Sequence, residues 1–336
     1  MIDVSLRIAK LIGQPINPSL PVPVEIAEIA DVFTAEAGEK VYRYDSYDSD
    51  ADQILDINTT NANITAVKRT PETEVELTFK GLNSQMEYVH VEDVLNSKDV
   101  KILARKTARI SASMDKLELR CILNAILDGK TPGMVGGTHD MEDAVQDVGE
   151  SSGDDLYDII LKAKHKVEDY GEDLLLLSGS TVKEKIDTFD KDKVASFNYN
   201  VTLNAKLREL GIKVMKIFGT VKWTGSLHNI SAGGYADDST VVALLDANKF
   251  VFMARNSRIS EGKPIIFVRR KISAEIAEFM GAKVDEAQRA LVVAGTPLPV
   301  GSAQKLAYAV YGVESIIWAV VNAYAIAKTG DISAYL

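Results

Sequence analysis

Two short stretches with strand alternation, Lys40-Val-Tyr-Arg-Tyr44 and Glu74-Val-Glu-Leu-Thr-Phe-Lys80, flank a long acidic and Asn/Thr-rich interval. The second alternates strictly, with Val75, Leu77 and Phe79 on one face. Together they predict a long β-hairpin. Its apolar residues are too few for a core of its own, and an isolated two-stranded ribbon is marginal in water. The ribbon must therefore lie on something else, and a neighbouring subunit is the obvious support. The segment before it, residues 14 to 25, carries four prolines. These fix φ, remove backbone donors and hold their predecessors extended, so it reads as an arm.

The strongest helix follows. It opens after Asn96 or Ser97, places Leu103, Ile110, Met114, Leu117 and Cys121 on one face, and stops at Asp128-Gly129 before Pro132. Residues 99 to 128 would make a rod of about 45 Å at the α-helical rise. Lys98, Lys101, Arg105, Lys106 and Arg109 cover much of its first half. A solvated face is the favoured reading of those charges over a weak phosphate contact. Residues 131 to 155 read as a loop around a short helix. Beyond them come a helix over Asp154 to Tyr170, a buried strand Asp173 to Leu177, and a helix over Thr181 to Phe189 capped near Ser180. A helix or turn over Leu203 to Leu210 precedes strands at Gly211 to Met215 and Val241 to Leu245. Further strands are expected at Phe250 to Met253, Pro264 to Arg270, Ala290 to Ala294, Leu306 to Val313 and Ile316 to Ala327. The class is α+β.

With 336 residues and 26% charged side chains the chain can bury a sizeable core in one or two domains. Its net charge of -10 argues against a sequence-wide electrostatic grip on nucleic acid. The single cysteine, Cys121, excludes an internal disulfide and suits a reducing cytosol. The first thirteen residues lack the apolar stretch of a signal peptide. Glu314 and Asn322 interrupt the one stretch, Leu306 to Ala327, long enough to span a bilayer, so no membrane partner is expected.

Candidate chemistry is thin. Asp48, Asp50 and Asp52 copy positions 1, 3 and 5 of a calcium loop, but Gln53 and Thr59 stand where glycine and a bidentate glutamate are needed. His90, His139, His165 and His228 have no metal-ligand spacing. Nothing resembles a phosphate-cradling glycine loop. Ser180-Thr-Val-Lys183, Ser196-Phe-Asn198 and Lys328-Thr-Gly330 imitate the serine acyltransferases of the penicillin-binding type. Yet Ser-x-x-Lys recurs at Ser113 to Lys116 and Ser302 to Lys305, and the second motif follows the first too closely. No residue is assigned a catalytic, cofactor-binding or metal-binding role, no cofactor is expected, and the protein is not expected to be an enzyme.

The order of parts resembles the major capsid proteins of tailed bacteriophages, the Hong Kong 97-type fold. The resemblance rests on the proline arm, the hairpin, and Tyr88-Val-His-Val-Glu-Asp-Val-Leu95 leading into the helix with Ala104-Arg-Lys-Thr107 and Met114-Asp-Lys-Leu-Glu118. Leu174-Leu-Leu-Leu-Ser178, Leu207-Arg-Glu-Leu-Gly-Ile-Lys-Val214, Ala243 to Phe250, Ala309 to Ser315 and Val321 to Ala327 continue it. It implies an arm (1–38), an extended hairpin loop (39–85), a peripheral domain with the spine helix (86–151), an axial domain (152–246) and strands returning to the peripheral domain (247–336). It further implies a structural shell subunit forming pentamers and hexamers around double-stranded DNA that it encloses non-specifically. Such a shell is assembled in the host cytoplasm and kept in the virion, with a separate scaffolding protein, a portal and a decoration protein as candidate partners. The acidic balance fits a container that repels packaged DNA. Some members weld subunits by a Lys–Asn isopeptide bond assisted by a glutamate. Glu314 is near the expected glutamate, but Ser302 to Tyr308 offers no asparagine, so no cross-link is expected. A scaffolding region fused before the arm is likewise not expected. An encapsulin-type nanocompartment shell is the alternative within the same fold, and the serine acyltransferase is the rival from another class.

Overall fold

The structure is a computed structural model that describes residues 23–46, 73–84, 87–90, 101–128, 145–188, 202–222, 242–257, 262–273, 289–300 and 303–336. The acidic tip around Asp48, Asp50 and Asp52, most of the proline arm, the caps proposed at Asn96, Ser97 and Gly129, and Ser196 to Asn198 lie outside the described residues.

After the prolines, α1 (Ile26–Ile29) buries both isoleucines and the chain straightens into β1 (Asp31–Ala35). The expected hairpin is present as β2 (Val41–Ser46) against β3 (Thr73–Thr78), antiparallel from Val41↔Thr78 to Ser46↔Thr73. Two short strands, β4 (Lys80–Asn83) and β5 (Glu87–His90), lead to α2 (Lys101–Asp128), the expected long helix, whose proposed start lies outside the described residues. Then come β6 (Gln146–Asp147), α3 (Leu156–Val167), β7 (Gly171–Ser178), α4 (Ser180–Thr188), α5 (Leu203–Glu209), β8 (Lys213–Lys216), β9 (Thr220–Val221) and β10 (Val242–Ala243). The chain finishes with β11 (Phe250–Ser257), β12 (Ile265–Arg270), β13 (Arg289–Val300), β14 (Ala303–Val320) and β15 (Ile326–Lys328).

Local chemistry explains the helix ends. Asp155 and Asp158 form a reciprocal capping box at the start of α3, satisfying two otherwise orphaned backbone donors. At α4 the expected cap near Ser180 is replaced. The helix begins at Ser180, and its Thr181 and Val182 amides donate to the carbonyl of Ala247 at 3.1 and 3.2 Å. This approach depends on Gly179, where a Cβ would stand 2.1 Å from the carbonyl oxygen of Asp246. At the far end of α2, Lys328 Nζ donates to the carbonyl of Leu127 at 2.9 Å, putting a cation where the helix dipole is negative.

Two sheets share the spine helix. The larger has the order β1-β12-β14-β13, with β4 and β5 also on β14, and the five-stranded one has the order β6-β15-β11-β7-β8. Strand alternation sorts the side chains (period 2). Leu175, Leu177, Val251 and Met253 of the smaller sheet and Phe267, Ile316 and Trp318 of the larger one meet Leu119, Ile122, Leu123 and Ile126 of α2 in one core. The opposite face of the smaller sheet, with Leu174, Leu176, Phe250 and Phe252, is covered by Ile159 and Ile160 of α3, Val182 and Ile186 of α4 and Leu207 of α5.

The late strands differ from expectation in two ways. The runs Leu306 to Val313 and Ile316 to Ala327, read as two strands, begin as one continuous strand, β14. It pairs with β13 along 303–314, β5 along 307–310, β4 along 313–316 and β12 along 316–320. The polar pair Glu314-Ser315 does not break it, because Arg289 takes up the carboxylate and Arg270 Nη2 donates to Ser315 Oγ at 2.9 Å. The second run stops at Val320 instead. Asn322 accepts from the Ala325 amide in a 3₁₀ turn, and the chain crosses to the smaller sheet as β15. Of residues 247 to 336, then, β11 and β15 stay with β7 while β12, β13 and β14 build the larger sheet. No helix of the described residues is long and apolar enough to cross a membrane.

Candidate functional site

The residues with enzyme-like spacing do not converge. Ser180 is exposed at the start of α4, and Lys183 is paired along the helix with Asp187. Lys328 is committed to the end of α2. Of the histidines, His139 and His228 lie outside the described residues, and His90 lies in β5. His165 contacts Glu168 through Nδ1 at 2.6 Å. No group of three or more His, Cys, Asp or Glu side chains is arranged to hold a metal ion among the described residues. Cys121 is fully buried, and burial, reinforced by Glu118, pushes its thiol well above the usual range, the opposite of a nucleophile. On the basic face of α2, Lys106 is half-buried and Arg109 exposed.

Two other places hold organised side chains. The first is the base of the hairpin. β2 and β3 pair only with each other, as a separate two-stranded sheet among the described residues. The ribbon nevertheless begins on its own subunit. Leu77 is fully buried among Ala35, Ile266, Val268, Ile317 and Ala319, the face of the larger sheet that points away from α2. Tyr42 and Phe79 pack at the edge of this cluster, Phe33 stacks on Tyr42 at 6.5 Å, and the Arg270 guanidinium lies 5.2 Å over the Phe79 ring. Arg270 Nη1 also donates to the Glu39 carbonyl at 2.7 Å. Burial raises the Tyr42 phenol above its ordinary range. The hairpin's support at its base is thus intramolecular, and the expectation that a neighbour supplies it is corrected for Tyr42, Leu77 and Phe79.

The second is a buried ionic cluster between α2 and the larger sheet. Glu118 is completely buried and takes a bidentate pair from Arg269, Nε to Oε1 at 3.0 Å and Nη2 to Oε2 at 2.7 Å. Arg289 joins it from β13, with Nη2 3.3 Å from Glu118 Oε1, Nη1 2.6 Å from Asp115 and Nε 2.5 Å from Glu314. Burial raises the Glu314 carboxyl, Glu118 raises it further, and Arg289 and Arg269 only partly offset this, leaving it at about 7. Burial works against the Arg289 charge, but Glu314, Glu118 and Asp115 outweigh it and hold the guanidinium above its ordinary range. The cluster can fasten a helix to a sheet. Sequence reasoning passed over it, although a signal existed: Glu118 stands four residues after Met114 and three before Cys121, inside the apolar row.

A ribbon leaving one sheet, a long helix serving two sheets, and late strands shared between both define the architecture. No family model matches the chain, and no curated protein sequence matches it. Solved structures do match. A protein of Microbacterium phage Oxtober96 superposes with a TM-score of 0.54 over 94% of this chain and 93% of that one, at 10% identity. The capsid of an empty GTA particle gives 0.50 over 94% and 92%, at 14% identity. The holo-SrpI encapsulin complex of Synechococcus elongatus covers 98% of this chain and 95% of its own, at 14% identity, with a TM-score of 0.46. The first two likenesses establish the fold: the chain has the α+β Hong Kong 97-type capsid architecture.

Proposed function

We propose that the protein is a structural subunit that self-assembles into an icosahedral shell, the head of a tailed bacteriophage enclosing double-stranded DNA. The observation that carries the reading is the β2–β3 ribbon. Among the described residues it pairs with neither of the two large sheets, is fastened at its base by Leu77 with Tyr42 and Phe79, and needs further cover to be stable. Other copies of the chain supply that cover through heterologous contacts that close into rings and then a shell. The fold found in the phage and GTA particles supports the same reading. The net charge of -10 suits a wall that repels enclosed DNA and leaves it free to move.

On this reading pentamers and hexamers are the assembling units. A separate scaffolding protein and a portal are the partners, and the product is a virion component assembled in the host cytoplasm. No catalytic step is assigned, since Lys183 and Lys328 are committed to Asp187 and to the Leu127 carbonyl.

The test is sedimentation and electron microscopy of the full chain beside a version lacking residues 45 to 72. Shells, tubes or rings of five or six, lost on the deletion, support the proposal. A monodisperse monomer or dimer unaffected by the deletion refutes it. Shells of uniform small size that copurify with an enzyme, and that form without a portal vertex, would assign the chain to an encapsulin-type compartment instead.

A further inference from the structure

Arg289 stands where carboxylates from two elements meet. Its Nε donates to Glu314 Oε2 on the adjoining strand β14, its Nη1 to Asp115 Oδ1 at 2.6 Å and to Ser111 Oγ at 3.0 Å on α2, and its Nη2 reaches Glu118. The groups facing Glu314 are Glu118 and the Cys121 thiol from α2, Arg289 from β13, and Arg269 from β12, while Asp115 of α2 faces the same Arg289. Lys80 of β4 lies within electrostatic reach of the same thiol. Two guanidinium groups thus serve three carboxylates, of which Glu118 and Glu314 are shut off from water. One oxygen is left over: Glu314 Oε1 is buried with no hydrogen-bond partner.

An ionised carboxylate with an unpaired buried oxygen is costly, and a neutral carboxyl in the same place costs much less. Arg289 also has three carboxylates claiming it, one from the strand and two from the helix. We infer that Glu314 is the proton-accepting member of a staple between α2 and the β13–β14 pair, which grips the helix when Glu314 is neutral and slackens when it is ionised. With Glu314 neutral, Arg289 is left to Asp115 and Glu118 and clamps the helix to the sheet. With Glu314 ionised, the strand competes for Arg289, and Glu314 repels Glu118 across the same gap.

The exchange falls near neutrality because the Glu314 carboxyl is pushed up to about 7. The folded form holds its proton more tightly than the unfolded chain, whose ordinary value is 4.5. The grip is therefore complete at acid pH, is lost progressively as pH rises from the ordinary value through 7, and changes no further above that. This device concerns the subunit itself and stands whether the shell holds DNA or an enzyme.

The test is amide hydrogen exchange of residues 111–122 in the full chain at several pH values between about 5 and 9, corrected for intrinsic exchange, beside Glu314→Gln. The wild type is expected to open about tenfold or more often at the alkaline end, and Glu314→Gln, which mimics the neutral acid, to stay closed throughout. Equal pH dependence in the two proteins would overturn the inference. Should Glu314→Gln not fold, infrared spectroscopy of the wild type decides. A protonated carboxylic-acid band that persists at about pH 6, where exposed carboxylates are ionised, supports the staple, and its absence refutes it.

Discussion

Leu77→Ala should detach the hairpin without unfolding the body. Leu77 is fully buried, and its neighbours Ala35, Ile266, Val268, Ile317 and Ala319 form a cluster separate from the two larger cores. Truncation removes about three methylene equivalents of buried surface and leaves a cavity under Tyr42 and Phe79. The sum is about 2–4 kcal/mol. Because the described part of the ribbon pairs with neither of the two large sheets, that loss falls on a local opening and leaves the global transition nearly untouched. A loss of about 3 kcal/mol corresponds to roughly a hundredfold more frequent opening of the hairpin base. Hydrogen exchange in the full chain reads this directly. Amides of Val41–Ser46 and Thr73–Thr78 should exchange faster by that factor, while those of Leu174 to Leu177 and Phe250 to Ala254 keep wild-type rates. If the hairpin amides stay protected, or if both sets accelerate together, the assignment of Leu77 as the local fastening is wrong.

Other expectations follow from the same geometry. Glu118→Ala takes from Arg269 its bidentate partner and leaves Arg289 to Asp115 and Glu314, both guanidiniums being largely but not wholly buried, and should cost up to about 3–5 kcal/mol, measured by denaturant unfolding; a cost under about 1 kcal/mol would show that the cluster carries little stability. Gly179→Ala sets a Cβ against the Asp246 carbonyl and should lower stability by at least about 1–3 kcal/mol, whereas Gly38→Ala, with nothing within 4 Å, should cost only the strain of its positive φ. Assembled particles boiled in detergent should run as a single band at 36.6 kDa, and a covalent ladder would disprove the expected absence of a cross-link.

Alternation at Val75, Leu77 and Phe79 made the hairpin legible, and the row from Ile110 to Cys121 did the same for the helix. Periodicity reports which face of an element is apolar, and it names no partner. That is why Leu77 could be assigned to a buried face and still be given to the wrong molecule. The same blindness hid the ionic cluster, since Glu118 meets Arg269 and Arg289 across 151 and more positions of chain. Glu314 and Ser315 looked like a strand break because their polarity was visible and the arginines that neutralise it were not. The helices were easier, as with α3, whose capping box is written within four consecutive residues.

The pairing of β1 with β12 also governs when the chain can fold during synthesis. β1 runs parallel to β12, with Asp31 opposite Ile266 and Ala35 opposite Arg270, while β4 and β5 wait for residues 307–316. At about 5–20 residues per second, the ribosome needs on the order of tens of seconds to make the partners of β1. Throughout that interval β1, β4 and β5 have no template on their own chain, while β2 and β3 have each other. The larger sheet therefore closes as a late event, after most of the polypeptide has emerged. Subunits that recruit one another must do so as finished molecules, and any factor that shields Val32 and Phe33 in the nascent chain would raise the yield of competent ones.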